Sequence, residues 1–326
     1  VPIEENFKLN YFPKNPKISN SSLKIIPTFE EVSHSVHQSN LPSWRNKKHA
    51  AQFISTLKTY AFPHIGELKV SEVNTSHLMS ILSPIWVTKA ETARRVRQRI
   101  SAVLTWSIAQ NWRTDNPADK MIVKALPKQT KKLNHRKSMS YEDVGSFIRT
   151  VQNSNALITT KLALEFLILT ATRSNEVRTA KWEEVNENLW TIPSERMKLG
   201  IAHRIPLSTR CMEIIKEAKK ISNGSKYIFS GIKIDAPLSE NTFNKLIKDL
   251  NFDIHAHGFR TSFRTWTQEK TNYPREIAET ALAHSLQDKS EAAYARSDLL
   301  EKRREMMEAW AIYINNEDAK VISIRG

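Results

Sequence analysis

The stretch KLALEFLILTATRSNEV, Lys161–Val177, decides how the rest of this chain is read. Its segment LALEFLIL is apolar nearly all round, and a helix of that kind must be buried on every side. It therefore marks the centre of a globular unit. Arg173 follows at once, so its guanidinium is held at the edge of a core. Glu176, three residues on, falls on the same helical face and is placed to brace it. Taken alone, the pair reads first as a structural ion pair and second as an anion clamp with its support.

Downstream, Leu189–Ile192 and His203–Leu207 have the composition of a short strand pair, separated by a turn containing Lys198 and Gly200. Lysine is common in such solvent-facing turns. Its functional alternative is a flexible ammonium that donates a proton or contacts phosphate. Helices are predicted over about residues 208–220, 240–250, 260–270, 274–283 and 299–314. The last carries Leu299, Met306, Trp310 and Tyr313 at helical spacing. HGFR, His257–Arg260, puts a histidine and an arginine three apart at a helix start, where both point the same way and free N–H groups favour anions. Arg264 adds a positive charge one turn further. His255 and His257 have no acidic or cysteine neighbours, which is too little for a metal site. Last comes LAHSLQDKSEAAYARSD, Leu282–Asp298, with His284 and then Tyr294 on an alanine-rich helix.

Upstream, Pro2, Pro13, Pro16 and Pro27 make residues 1–27 an arm or linker. Thr28 and Glu31 have capping-box spacing, and Phe29, Val32 and Val36 follow on one face. Further helices are predicted over about residues 44–60, 76–85 and 89–110. The last carries an apolar stripe of Ala93, Val96, Ile100, Val103, Leu104 and Ile108. Arg94, Arg95, Arg97 and Arg99 crowd its first half, either as a solvated basic face or as a phosphate-contacting one. Asn116-Pro117 closes this four-helix unit, which occupies residues 28–119. Residues 120–137 hold seven Lys or Arg and no Asp or Glu, and read as an extended basic linker between two domains. Its Lys128, Lys131, Lys132 and Arg136 are suited to a DNA backbone, with two domains clasping opposite sides of a duplex. The second domain covers residues 138–326, including a C-terminal tail.

A length of 326 residues suits two domains, and 40% hydrophobic with 25% charged content is ordinary for a soluble globular protein. The formal charge of +15 predicts a polyanionic partner, of which nucleic acid is the commonest. An anionic membrane surface ranks low, because no basic amphipathic helix carries a strong aromatic face. No apolar run approaches the roughly 20 residues of a membrane span. The N-terminus has no secretory pattern, and Cys211 is the single cysteine, so an intracellular setting is expected.

The energetics of Tyr294 set a demand on its neighbours. A tyrosine with a pKa of about 10 is about one-thousandth ionised at pH 7, and closing that gap takes roughly 4 kcal/mol of preference for phenolate. Clustered arginines and a histidine supply such a preference. The same guanidinia would neutralise a pentacoordinate phosphate through paired N–H contacts. No metal or other cofactor is then required, in keeping with the lack of a clustered carboxylate site for magnesium.

In this order, ATRSNEV, MKLGIAHRIPLS, HGFR and the LAH…AAYAR ending resemble the tyrosine recombinase (phage integrase) family, and most of all integrases of satellite phages and genomic islands. The resemblance spans about residues 28–314. Each motif alone is weak, whereas the ordered set on a basic two-domain chain is specific. It implies a mainly α fold with a small antiparallel sheet: a four-helix core-binding domain followed by an α+β catalytic domain, together a C-shaped clamp on DNA. Arg173 and Arg260 would clamp the phosphate, Lys198 would protonate the leaving 5′-oxygen, and His257 would act as general acid/base. His284 would hydrogen-bond the phosphate, Glu176 would brace the site, and Tyr294 would form a 3′-phosphotyrosyl bond without ATP. The implied activity is site-specific integration or excision of a mobile element in the bacterial cytoplasm, on the nucleoid. It implies a homotetramer on double-stranded attachment sites, aided by DNA-bending accessory proteins. The tail, with Val321, Ile322 and Ile324, would dock on a neighbouring protomer. Ala171 stands where many relatives carry glycine and is expected to tighten the local turn. Such integrases usually carry a further N-terminal domain, which residues 1–27 are too short to form. A non-catalytic DNA-binding protein and a type IB topoisomerase-like relaxing enzyme are the alternatives.

Overall fold

Thr28 opens the first helix as its spacing predicts. Its hydroxyl accepts from the Glu31 N–H at 3.3 Å, and the Glu31 carboxylate accepts from the Thr28 N–H at 2.8 Å. The structure, a computed structural model, describes residues 25–44, 47–129, 137–231, 235–284 and 298–315. They fall into two compact units, one within Val1–Leu133 and one within Asn134–Gly326. Most of the expected N-terminal arm and all of the expected docking tail lie outside the described residues.

The first unit is helical: α1 (Phe29–Asn40), α2 (Lys47–Tyr60), the single turn α3 (Phe62–Ile65), α4 (Thr75–Trp86), α5 (Ala90–Ala109) and α6 (Lys120–Ala125). Its core is the predicted one. Phe29, Val32 and Val36 of α1 meet Leu78, Ile81 and Leu82 of α4 and the α5 stripe, of which only Ile108 is incompletely buried. The linker reading needs a correction at its start, because α6 forms inside it. Asp119 caps the helix by accepting from the Met121 N–H at 2.7 Å, and Ile122 and Leu126 are buried in the first core. Ile122 and Leu126 stand among Met121, Val123, three lysines and Pro127, a stretch of weak apolar periodicity.

In the second unit, α7 (Val144–Gln152) and α8 (Ile158–Thr170) lead to α9 (Ser174–Arg178). Every residue of α8 from Leu162 to Thr170 is buried, as an all-apolar helix requires. Its one carboxylate, Glu165, accepts from Arg210 and Gln152. A three-stranded antiparallel sheet follows, β1 (Val185–Asn186), β2 (Leu189–Ile192) and β3 (His203–Pro206), in the order β1-β2-β3. Trp190 pairs with Ile205 across β2 and β3, and its ring packs on Phe166 of α8. The remaining helices are α10 (Thr209–Lys220), α11 (Thr242–Asp249), α12 (Phe259–Lys270), α13 (Arg275–Ala281) and α14 (Leu300–Asn315). Trp310 of α14 stacks among Phe263, Trp266 and Tyr313 and donates to Ile168 O at 3.0 Å, which fixes α14 against α8. The fold is thus mainly helical with one small sheet. No helix among the described residues is long and apolar enough to cross a membrane.

Candidate active site

Three short segments of the second unit bring Arg173, Glu176, Arg260 and His284 together. The first is the exit from α8. Thr170 ends the helix, Ala171 takes a left-handed conformation at φ 50°, and the chain turns so that Arg173 precedes α9. Glu176 then grips Arg173 twice. One carboxylate oxygen accepts from the Arg173 backbone N–H at 2.7 Å and the other from its guanidinium at 2.9 Å. Glu176 is buried and Arg173 only partly so, which gives the arginine a fixed base and an accessible edge. The predicted bracing pair is therefore present.

The second segment is the start of α12. His255–Gly258 forms a tight turn, in which the His257 N–H donates to His255 Nδ1 at 3.2 Å, and Arg260 lies in the first turn of the helix. The glycine of HGFR answers to a close crossing of chain: a Cβ on Gly258 would lie 2.5 Å from Lys137 O.

The third segment is the C-terminal turn of α13, where both arginines converge. Arg260 donates to Ala171 O at 2.6 Å, to Leu282 O at 2.5 Å and to His284 Nε2 at 3.0 Å. Arg173 donates to the next carbonyl, Ala283 O, at 3.2 Å. Exposed carbonyls at a helix C-terminus carry partial negative charge and so attract cations. A guanidinium has five N–H donors. Arg173 uses two of them here and Arg260 three, so both retain donors for an anion. Burial, joined by the nearby charge of Arg173, lowers the Arg260 pKa to about 10, which leaves it cationic at neutral pH.

Lys198 sits where the strand pattern put it, exposed in the β2–β3 connection, and no hydrogen bond or ion pair holds its ammonium among the described residues. The connection is anchored two residues earlier. Arg196 pairs with Glu184 and donates to Glu176 O at 2.7 Å and Thr179 Oγ1 at 2.6 Å, tying the sheet to α9. Tyr294 lies outside the described residues, as do Lys131, Lys132 and Arg136. The chain re-enters the description at Asp298. Arg204 of β3 binds that carboxylate with two contacts of 2.7 Å, and Arg303 of α14 donates to its backbone carbonyl at 2.6 Å.

Several basic residues are engaged within their own units. Arg264 is not free: its Nε donates to Glu279 Oε1 at 2.7 Å in a half-buried pair. The four arginines of α5 do not form one face. Arg94 and Arg95 are exposed and both pair with Glu91. Arg97 turns to Ala118 O and Asp119 O at 2.7 and 3.1 Å, and Arg99 is buried. Lys128 is exposed. Among the described residues, no group of three or more His, Cys, Asp or Glu is placed to hold a metal ion.

His203 belongs to the site's foundation although no motif singled it out. From β3 its Nε2 lies 3.2 Å from Ala281 O, one residue before the carbonyls that receive the arginines. Burial, then the Arg303 charge, with Arg173 and Arg260 adding to it, lowers its pKa to about 4 against only the Ala281 hydrogen bond. The ring is therefore neutral in the folded protein and donates from Nε2. The unfolded chain takes up this proton below about pH 6.5 and the folded chain does so only near 4. The stabilisation is complete above the higher value and is lost as pH falls through that window, approaching about 3 kcal/mol. Urea unfolding at pH 7 and pH 4.5 should show this acid loss, and His203→Gln should show a shallower one. Equal slopes would exclude His203 as its source.

Comparison with known proteins places the chain in a family. The phage integrase central domain matches residues 29–123, and the phage integrase family matches residues 137–300. The integrase of Enterobacteria phage P4 is 30% identical over 319 residues, covering 91% of this chain and 71% of that one. Two solved structures share the fold at 18% identity and a TM-score of 0.64. One is a lambda integrase (75–356) dimer bound to a COC′ core site, covering 80% of this chain and 96% of that one. The other is a lambda integrase tetramer bound to a Holliday junction, covering 84% and 79%. Matches running through both units, on a fold of helices and one small sheet, settle the lineage: this chain belongs to the phage integrase family and is a tyrosine site-specific recombinase of the satellite-phage and prophage type.

Proposed function

We propose that Arg173, Arg260 and His284 grip a DNA phosphodiester while Tyr294 attacks it. The observation that carries this reading is their convergence on Leu282, Ala283 and His284, with N–H donors left over on both arginines. The phenol oxygen bonds to phosphorus, the bond to the 5′-oxygen breaks, and a 3′-phosphotyrosyl link with a free 5′-hydroxyl results. His257 receives the phenol proton and Lys198 supplies the proton for the departing 5′-oxygen. The covalent link keeps the phosphodiester energy, so rejoining to a new 5′-hydroxyl needs no ATP. Arginine is suited to the clamp because its planar fork meets two phosphate oxygens at once.

Double-stranded attachment-site DNA is the partner, in the bacterial cytoplasm on the nucleoid, with accessory proteins bending the sites. The net charge of +15 favours such a partner. A homotetramer would carry out the exchange, an arrangement seen for lambda integrase on a Holliday junction. The unit at residues 28–119 would hold the core site through exposed cations such as Arg94 and Arg95, the linker through Lys128, Lys131, Lys132 and Arg136, and residues 138–326 would cut.

The test is a nicked suicide duplex built from the element's own end sequences. A covalent adduct should form, and mass spectrometry of its digest should place the nucleotide on Tyr294. A nucleotide on another residue overturns the assignment. Specific binding without an adduct points to a non-catalytic protein, and relaxation of plasmids lacking the site points to a topoisomerase-like enzyme.

A further inference from the structure

Glu279 stands on α13, five residues before His284, and has no part in the chemistry above. We propose that Glu279 is a positioning residue: its carboxylate fixes which ring nitrogen of His284 carries the proton, and Arg264 locks that carboxylate in place. The proposal rests on the reading of His284 as a phosphate contact.

Glu279 Oε2 lies 2.7 Å from His284 Nδ1, and Oε1 accepts from Arg264 Nε at 2.7 Å. Both oxygens are thus engaged, and the glutamate side chain is only 18% exposed. On the far side of the ring, Nε2 lies 3.0 Å from Arg260 Nη2. An ionised carboxylate only accepts hydrogen bonds and a guanidinium only donates them. The imidazole therefore sits between an obligate acceptor and an obligate donor. One neutral form satisfies both, with the proton on Nδ1 and the lone pair on Nε2 facing Arg260. Burial works to raise the Glu279 carboxyl, but hydrogen bonds from Arg264 and His284 and the Arg264 charge hold it below the ordinary carboxylate range and keep it an acceptor. The charged groups around the ring are Arg260 and Arg264 from α12, Glu279 and the more distant Arg275 from α13, and Arg173 ahead of α9.

This arrangement prepares a specific change on DNA. A phosphate oxygen entering between Arg260 and His284 needs a donor from Nε2. Because Glu279 continues to accept from Nδ1, the ring can take a second proton, from solvent, on Nε2 without rotating. Arg264 thereby acts through the glutamate on the histidine, which accounts for its absence from the basic surface.

Glu279→Gln separates these roles while preserving shape. Arg264 would claim the amide oxygen, turning the amide NH2 towards Nδ1 and forcing the proton to Nε2, against Arg260. In 15N-histidine-labelled full-length protein, long-range 1H–15N spectra, with His284 assigned by His284→Asn, should show Nδ1–H in the wild type and Nε2–H in Glu279→Gln. Adduct formation should slow about 10- to 100-fold, because a neutral ring with Nε2–H turned on Arg260 meets the phosphate without the positive charge that Glu279 supports, a loss smaller than when a wrongly protonated histidine is the sole base, with DNA affinity within about twofold. Arg264→Lys, which keeps the charge but not the Nε contact, should give an intermediate loss. The same nitrogen protonated in both proteins overturns the proposal, as does a switched proton with a wild-type cleavage rate. His284→Asn cleaving at the wild-type rate would instead overturn the assignment of His284 beneath it.

Discussion

Replacing Tyr294 by phenylalanine should eliminate the covalent adduct, with cleavage falling by at least about 10⁴-fold, as when a catalytic nucleophile is removed elsewhere. The substitution deletes one oxygen and nothing else, so the affinity for duplex DNA should stay within about twofold. Suicide-substrate trapping on a denaturing gel reads the first quantity and a native gel shift the second. An adduct formed by Tyr294→Phe would remove Tyr294 from the mechanism. The size of the effect follows from the demand on the phenol. At neutral pH roughly 4 kcal/mol must favour phenolate, and phenylalanine has no oxygen to ionise. A binding defect of the same size as the cleavage defect would make Tyr294 a packing residue.

Arg260→Lys should lower adduct formation by about 10³-fold, near the effect of losing one donor from an oxyanion-stabilising site. Arg260 is buried to 4% exposure and divides its donors among Ala171 O, Leu282 O and His284 Nε2. A lysine ammonium has three donors on a flexible stem and no planar fork. It cannot meet two carbonyls on different segments and a phosphate together. At least one buried acceptor is then left unpaired, at about 1–3 kcal/mol, so the urea midpoint should fall as well. Single-turnover cleavage below the variant's unfolding midpoint separates the two losses. A variant that cleaves within tenfold of wild type would show that Arg260 has a structural role alone.

The fold was legible wherever local chemistry sufficed. The Thr28–Glu31 box, the α5 stripe and the all-apolar α8 each satisfy their own backbone within a few residues, and β2 and β3 pair across 11 to 17. The Arg173–Glu176 pair was legible for the same reason, being a contact three residues apart. What escaped was set by distance along the chain. Arg97 turns to carbonyls 21 and 22 residues away, and His203 meets Ala281 across 78 residues. The α5 arginines carried a readable warning. At about 100° per residue, positions 94, 95, 97 and 99 spread around more than half of the helix, so they cannot share one face. Glu279 lies five residues from His284 across a helix end, a spacing with no regular face to announce it.

The two arginines rest on Ala171 O, Leu282 O and Ala283 O, which are main-chain atoms. Acceptors of this kind are indifferent to the side chains at those positions. An alanine held at φ 50° presents the same oxygen that a glycine would, at a local cost of about 1–2 kcal/mol. Three of the five contacts that seat the guanidinia are thus set by the course of the backbone, and two by the side chains of Glu176 and His284.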